Sequence, residues 1–313
     1  MNARKNCYLL KRKQMKITKM FEGLSIYDFQ SQFSEDETCT DLLVLLKWGD
    51  SYSCRNCGYK KYCATKRYGE RRCCSCGKPE SATAHTLFHK LKFPIHKAFF
   101  MLYLIATTKK GISGLELHRK LGLHKRTCLY FKRKVMAAMA SQCNYKMSGD
   151  VEVDETFVGG KDPSSVGRSK GSKKLVVVGI ERSGNGIYKA YAREIPSAGV
   201  KDLRPFFEDH ISKDANIKTD GWRSYKSLKK SYKKLTQIKS NNGKNFDVMH
   251  RIIMTMKSWL RGIPGSVRDL QPYLDEYMYR FNRHKSGGNI FNLILKRMVN
   301  FPAVTYSQIF NVT

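Results

Sequence analysis

The sequence predicts a mixed α/β protein in which a cysteine-rich segment and a helical segment precede an α/β domain. Two C-x-x-C motifs lie between residues 54 and 76. Apolar residues then recur at helical spacing over residues 93–139. From residue 151 the pattern becomes three strands, a helix, a strand and a helix, which is typical of a mixed sheet flanked by helices.

The chain is strongly basic. Its 313 residues include 58 Lys and Arg against 26 Asp and Glu, a formal net charge of +32. Such an excess favours a polyphosphate backbone as partner, with a membrane surface as the competing partner. The sequence has no apolar run of about 18 residues, so no membrane span is expected. Residues 1–19 are basic and lack the apolar stretch of a secretory signal, which predicts a cytosolic protein.

The cysteines indicate metal binding. Ten cysteines in a protein expected to be intracellular favour a metal before disulfides. Each C-x-x-C motif is followed by glycine, and the spacing predicts a structural zinc ribbon. Its four predicted ligands are Cys54, Cys57, Cys73 and Cys76. Cys63 and Cys74 are additional thiols, either of which could replace a neighbour as ligand. The other four are interpreted as small buried hydrophobic residues: Cys7, Cys39, Cys128 and Cys143.

Two helices around residues 121–122 resemble a helix-turn-helix. Ser113 is the predicted N-cap of the first helix, and Glu116 completes a capping box. A generic basic helical hairpin is the alternative. Upstream, one or two short helices are expected over residues 25–46, with Asp41 as an N-cap. The second helix of the pair carries the basic side chains predicted to contact DNA: Lys125, Arg126, Lys132 and Arg133.

An acidic cluster interrupts the strand pattern at residues 151–158. On strict alternation Glu152 shares the face of Asp154, whereas Glu155 points the other way. Buried carboxylates are costly unless they are paired or bind a metal, and the alternative is a solvated edge strand. Asp220 ends a later predicted strand, where open α/β sheets place their active sites. Two such carboxylates that converge on one or two Mg²⁺ ions would suit phosphodiester chemistry.

Three sequence blocks resemble the signature blocks of DDE insertion-sequence transposases, in particular the zinc-ribbon-bearing ISXO-type group related to the eukaryotic Merlin elements. They are VEVDETFVGGK at 151–161, KTDGWRSY at 218–225 and YLDEYMYRFNR at 273–283. The resemblance implies a ribonuclease-H-like catalytic domain, dependence on Mg²⁺ or Mn²⁺, and cut-and-join chemistry at the terminal repeats of a mobile element. It also implies that Asp154 is the first catalytic carboxylate and Asp220 the second.

At the third catalytic position the chain departs from the pattern that it resembles. That pattern has a helix with Glu, a Lys seven residues downstream and a glycine five beyond that. Lys257 and Gly262 match, and His250 stands where Glu is expected. His250 is the candidate third ligand, although imidazole is softer than Mg²⁺ prefers, and Lys257 is the candidate to meet a phosphate. The alternatives are Asp247 or loss of activity in a decayed or domesticated copy.

These patterns predict an ordered series of segments. They are a basic tail (1–20), a helical lead-in with the zinc ribbon (21–90), the helix-turn-helix domain (91–145), the ribonuclease-H-like transposase domain (146–300) and a C-terminal tail (301–313).

The predicted function is a DNA transposase that binds the terminal repeats of an insertion sequence and catalyses metal-dependent strand cleavage and strand transfer. The expected partners are double-stranded DNA, at the element ends and the target, and further copies of the chain in a homodimer or larger synaptic complex. No membrane partner is expected. The expected location is the cytoplasm with the nucleoid, or the nucleus in a eukaryotic host. A catalytically inactive or domesticated DNA-binding protein derived from a transposase is the alternative, and a nuclease acting on RNA hybrids is a third hypothesis.

Overall fold

The chain folds into two compact units. A computed structural model describes residues 25–49, 51–160, 173–184, 186–241, 244–263 and 269–310. The first unit combines residues 1–139 with 286–313, and the second comprises residues 140–285. The basic tail expected over residues 1–20 lies outside the described residues.

The first unit combines helices with a small antiparallel sheet. Its elements up to residue 139 are α1 (Ile26–Gln32), α2 (Asp36–Trp48), β1 (Tyr62–Ala64), β2 (Glu70–Cys73), β3 (Pro79–Ser81), α3 (Ile95–Thr107), α4 (Gly114–Leu121) and α5 (Lys125–Met139). The strands pair in the order β1-β2-β3. The predicted cap of α4 is confirmed, because the Ser113 side chain accepts a hydrogen bond from the Glu116 amide at 3.0 Å.

Lys47 of α2 holds the small sheet against the helix. Its ammonium donates to the carbonyls of Ser81 and Ala84 at 2.8 and 2.7 Å, and it lies 2.8 Å from the Glu80 carboxylate. Burial lowers the pKa of Lys47, and the contact with Glu80 opposes that shift. The small sheet is therefore anchored to α2 by the largely buried Lys47 ammonium, whose hydrogen bonds are satisfied, as well as by any metal that the cysteines bind.

The second unit is built around a five-stranded mixed sheet. Its elements are β4 (Asp150–Val158), β5 (Lys174–Ser183), β6 (Gly186–Ile195), α6 (Val200–His210), β7 (Asn216–Thr219), α7 (Ser224–Leu228), β8 (Leu235–Gln237), α8 (Asp247–Arg261) and α9 (Gln271–Phe281). The strand order is β6-β5-β4-β7-β8. β4, β5 and β6 are antiparallel neighbours, whereas β7 runs parallel to both β4 and β8.

Helices cover both faces of this sheet. α6 and α7 pack on the face that carries Val153 and Val177. α8 and α9 pack on the opposite face, which carries Val176 and Val178. Consecutive strand residues point to opposite faces, so the unbroken apolar run in β5 is explained by burial on both sides.

Helix α9 also closes the outer edge of the sheet at β6. The amide of Ala190 donates to Asn282 Oδ1, and Asn282 Nδ2 donates to the Ala190 carbonyl, both at 2.8 Å. At the other end of the same strand, the Glu194 amide donates to Gln271 Oε1 at 2.9 Å. These side-chain amides satisfy backbone groups that an exposed edge strand would otherwise offer to another chain.

After α9 the chain continues into the first unit with α10 (Ile290–Asn300) and α11 (Tyr306–Phe310). The Phe291 ring lies 5.2 Å from the ring of Phe29 and 6.1 Å from that of Phe99, measured between centroids. The Leu87 amide donates to the Met298 carbonyl at 3.0 Å. The helix α10 thereby completes the apolar core of the first unit.

Candidate active site and zinc centre

The two strand-borne aspartates are neighbours in the sheet. β4 and β7 run parallel with Val153 opposite Thr219, so Asp154 and Asp220 are the next residues along on adjacent strands. Such strands lie about 4.8 Å apart. Val153 and Ile217 belong to the core under α6 and α7. Alternation therefore turns both aspartates toward the opposite face, which α8 covers.

One oxygen of each carboxylate is held by the backbone. Asp154 Oδ1 accepts from the Glu155 amide and Asp220 Oδ1 from the Trp222 amide, each at 2.9 Å. Burial raises the pKa of Asp154, the Glu155 amide opposes this, and the nearby Asp220 carboxylate raises the pKa further. A cation bound near both groups would favour their charged forms.

Helix α8 brings His250 and Lys257 to this end of the sheet. His250 Nε2 lies 3.7 Å from Asp154 Oδ2. Lys257 lies two turns further along the same helix face. Burial lowers the pKa of Lys257, and the Asp154 carboxylate opposes that shift. Asp247 differs, because its side chain is 63% exposed and pairs with Arg251 at 3.7 Å. Of the two candidates for the third position, His250 is the one that faces Asp154.

Two further acids of β4, Glu152 and Glu155, have protein partners. Glu152 shares the face of Asp154, is buried, and lies 3.1 Å from Arg182 and 3.9 Å from Lys218. Glu155 points to the other face, as alternation predicts. Burial raises the pKa of Glu155 to about 7. Asp154 is therefore the acid of this strand that lies beside Asp220 and His250.

Two residues that the sequence analysis did not select support the aspartates. The Tyr225 hydroxyl donates to Glu155 Oε1 at 2.6 Å, and its side chain is fully buried. Gln237 Nε2 donates to the carbonyls of Trp222 and Asp220 at 2.8 and 3.3 Å. Tyr225 is the last residue of the KTDGWRSY block, so the sequence pattern could have indicated it. Gln237 lies in a three-residue strand that has no comparable signal.

Four cysteine sulfurs converge in the first unit. The Sγ atoms of Cys54, Cys57, Cys73 and Cys76 all lie within 4.8 Å of one another. Over the described part of the chain, this is the one group of three or more His, Cys, Asp or Glu ligand atoms that meets that distance. The ligand atoms of Asp154, Asp220 and His250 are spread more widely.

The C-x-x-C turns have the backbone geometry that a zinc ribbon requires. Gly58 and Gly77, which follow the two motifs, have φ angles of +71° and +69°, a left-handed conformation that glycine adopts without strain. A backbone amide, that of Lys78, lowers the pKa of Cys76 to about 6. A low pKa favours the thiolate, which is the form that binds zinc. Four sulfurs in this arrangement suit tetrahedral zinc.

The basic side chains predicted to contact DNA from α5 differ in exposure. Lys125 and Arg126 are exposed at the start of the helix. Lys132 is only 5% exposed, and Arg133 is half-buried. The helix face that carries Phe131 and Val135 packs into the core, and Lys132 is buried beside them. Of the four basic side chains, those of the first turn, Lys125 and Arg126, are the most exposed.

Comparison with known families gives a match in the second unit. Residues 146–282 match the family model of the ISXO2-like transposase domain, which confirms the resemblance found in the sequence over these residues. Among solved structures, a chain from a crystal structure of a pre-cleavage Mos1 transpososome is 10% identical, with 65% of this chain and 78% of that chain covered and a TM-score of 0.20. No curated protein matches the chain.

None of the helices in the described ranges has the length and apolar character needed to cross a membrane.

Proposed function

We propose that this protein is a DNA transposase that binds the terminal repeats of an insertion sequence and catalyses metal-dependent strand cleavage and strand transfer. The observation that carries the proposal is the register of β4 and β7, which sets Asp154 beside Asp220 within a domain matched to a transposase family. His250 lies 3.7 Å from Asp154 on the same face. Asp220 directly follows the carboxyl end of β7, which is where open α/β sheets bind their ligands.

The proposal includes a ribonuclease-H-like fold for the second unit, preceded by a zinc ribbon and a helix-turn-helix. The mixed sheet with helices on both faces supports the first part. The four-cysteine cluster supports the ribbon. The helix pair α4 and α5, joined at the left-handed Gly122, supports the third part.

The donor set at the aspartates fits a divalent cation. Asp154 and Asp220 offer hard carboxylate oxygens and His250 offers an imidazole nitrogen, a mixture that suits Mn²⁺ at least as well as Mg²⁺. When bound, such an ion would polarise a phosphodiester and stabilise the charge that develops on its oxygens. Asp154 and Asp220 would hold the ion, with His250 as the third ligand.

The surrounding residues have separate tasks in this proposal. Lys257, next to Asp154, would bind a non-bridging phosphate oxygen and hold the scissile group against the sheet. The Tyr225–Glu155 contact would keep β4 and the turn after Asp220 in fixed relation. Lys125 and Arg126 would contact DNA phosphates, supported by the net charge of +32.

The reaction would proceed in two displacements at phosphorus. A water oxygen attacks the phosphodiester at the element end, which frees a 3′ hydroxyl and leaves a 5′ phosphate on the flanking DNA. That 3′ hydroxyl then attacks a target phosphodiester in line and displaces the target 3′ oxygen. Two or more copies of the chain would hold the two element ends together for this second step.

The test compares three variants of the zinc-loaded protein on duplex DNA that carries the ends of its own element, with Mg²⁺ or Mn²⁺. Asp154→Asn and Asp220→Asn are expected to abolish cleavage and to remove a Mn²⁺ binding site seen by calorimetry. Asp150→Asn is the matched control, because Asp150 lies at the exposed start of the same strand. Unaltered cleavage by the Asp154 or Asp220 variant would sink the proposal.

One observation favours a second candidate, a catalytically inactive DNA-binding protein derived from a transposase. His250 occupies the position at which the resembled pattern has Glu. This candidate predicts tight binding to element ends with neither cleavage nor a carboxylate-dependent Mn²⁺ site. Cleavage of an RNA–DNA hybrid in preference to duplex ends would instead favour a nuclease of ribonuclease-H type.

A further inference from the structure

Two thiols of the ribbon lie outside the four-sulfur cluster. The sulfurs of Cys63 and Cys74 are 2.7 Å apart, and both residues are exposed. The sequence left open whether either one replaces a neighbouring zinc ligand, and the sulfur cluster uses neither of them. The transposase function gives this pair no task.

Strand alternation explains why the two thiols meet each other. In the β1–β2 ladder Tyr62 pairs with Cys73, which is buried and belongs to the sulfur cluster. Cys63 and Cys74 are the next residues after this pair, so both point to the opposite face of the hairpin. The Cys74 amide donates to the Lys61 carbonyl at 3.2 Å, which extends the ladder by one residue. The two side chains are therefore diagonal cross-strand neighbours.

We propose that Cys63 and Cys74 form a reversible disulfide, a redox-sensitive modification site separate from the zinc cluster. The sulfurs need only approach from 2.7 Å to about 2.05 Å, the length of a disulfide bond. Exposure leaves both sulfurs open to a small oxidant and to a reducing thiol. Disulfides of this exposed kind in reducing compartments are the labile and regulatory ones.

Hydrogen peroxide is the class of oxidant that the site would take. The thiolate of one cysteine attacks a peroxide oxygen, which gives a sulfenic acid and one molecule of water. The sulfur of the second cysteine then attacks the sulfenic sulfur, forms the S–S bond and releases a second water. Two thiols are oxidised and one peroxide is reduced. A dithiol reductant reverses the step by exchange, and its own sulfurs become the disulfide.

The disulfide would cross-link the hairpin and leave the four zinc ligands in place. It would join β1 to the residue that follows β2 and close the segment 63–74. Cys73 and Cys76 would stay on the zinc, because they lie on the other face or beyond the hairpin. The oxidised protein is therefore expected to keep its zinc and to gain a cross-link, unlike a ribbon whose zinc ligands are themselves oxidised.

The test uses the full-length, zinc-loaded protein treated with hydrogen peroxide, then alkylated under denaturing conditions and analysed by peptide mass spectrometry. We expect one cross-link, between Cys63 and Cys74, a loss of two free thiols, and recovery of both thiols after dithiothreitol. Zinc content is expected to stay unchanged. Cys63→Ser and Cys74→Ser should each lack the cross-link, whereas Cys128→Ser, which removes a buried thiol of α5, should keep it.

Three results would overturn the inference. They are full alkylation of Cys63 and Cys74 after oxidation, a cross-link from either of them to a cysteine of the cluster with release of zinc, and loss of zinc from the Cys74→Ser protein, which would make Cys74 a ligand. None of these measurements involves DNA cleavage, so the outcome is independent of the proposed transposase activity.

Discussion

The hydroxyl of Tyr225 donates a 2.6 Å hydrogen bond to the carboxylate of Glu155, on the sheet face opposite the two aspartates. Glu155 follows Asp154 directly, and Tyr225 lies five residues after Asp220. The bond therefore ties together the two chain segments that present the candidate metal ligands. Tyr225 belongs to α7, so the bond also joins that helix to β4.

Replacing Tyr225 with Phe tests this link. The variant leaves a partly buried carboxylate without its donor, and the expected loss is about 1–2 kcal/mol in the free energy of unfolding. We also expect weaker Mn²⁺ binding, because Asp154 and Asp220 lose a shared support. Chemical denaturation and calorimetric titration measure the two effects.

Tyr191→Phe is the matched control for that substitution. The half-buried Tyr191 donates from its hydroxyl to the Tyr145 carbonyl at 2.8 Å, and this hydrogen bond lies at the surface of the same unit. Its removal should cost less than about 1 kcal/mol, because water can replace the partner, and it should leave Mn²⁺ affinity unchanged. Equal effects of the two substitutions would show that Tyr225 has no special relation to the aspartates.

The third ligand position can be assigned by substituting His250 and Asp247 of α8 in turn. His250→Ala is expected to weaken Mn²⁺ binding by about tenfold or more, since even the loss of an outer-shell partner costs about 10–100-fold. Asp247→Ala should leave it unchanged, because that side chain is exposed and pairs with Arg251. His250→Glu should shift the preference from Mn²⁺ toward Mg²⁺, because a carboxylate is the harder ligand. The opposite pattern, with Asp247 sensitive and His250 silent, would assign the position to Asp247.

Strand alternation was sufficient to place the acids of β4. It predicted that Glu152 and Asp154 share a face and that Glu155 lies on the other.

The ends of the helices were predicted less accurately. Asp41 was expected to cap a helix and instead lies inside α2, where it accepts a 2.6 Å hydrogen bond from Tyr68. That partner is distant in sequence, so no local pattern could indicate it.

The remaining differences also come from contacts that are distant in sequence. Residues 290–300 follow the sheet domain in sequence, and the predicted segment 146–300 included them in it. Their contact with Phe29 and Phe99 through Phe291 depends on packing between chain ends. The basic pattern of α5 likewise suggested exposure of Lys132, which packing of the neighbouring Phe131 prevents. β8 was missed because three residues are too few to display alternation.

Removal of one cluster sulfur should release the zinc. If the cluster binds zinc as proposed, Cys76→Ser is expected to contain less zinc than the unaltered chain and to expose residues 51–82 to proteolysis, because metal binding supplies folding free energy to such ribbons. Cys143→Ser, in the second unit, should retain the same zinc content as the unaltered chain. Metal analysis after gel filtration and limited proteolysis provide the measurements. Full zinc content in the Cys76→Ser protein would remove Cys76 from the ligand set.

We predict that His210 makes the stability of the second unit depend on pH. Burial lowers the pKa of His210 to about 4 from its ordinary value of 6.5, the Arg193 guanidinium contributes to the shift, and Asp209 opposes it. Its ring stacks on Tyr191 with centroids 4.4 Å apart. His210 Nδ1 is buried with no hydrogen-bond partner among the residues that the structure describes. The folded site therefore accepts a neutral imidazole more readily than a charged one.

The sign of the effect follows from proton binding. Between pH 6.5 and about 4 the unfolded chain protonates this histidine and the folded chain does not. Stability is therefore fully present above pH 6.5, falls as the pH drops, and levels off near pH 4. At about 1.4 kcal/mol per pH unit, the full loss is about 3 kcal/mol.

His210→Phe keeps the aromatic stack and cannot protonate, so its free energy of unfolding should lack this component. Denaturation curves at several pH values should show the stability of the unaltered chain falling relative to the variant, whereas His284→Phe, at an exposed site of the same unit, should follow the unaltered chain. Parallel pH profiles for the unaltered chain and His210→Phe would mean that the buried ring is protonated in the folded state.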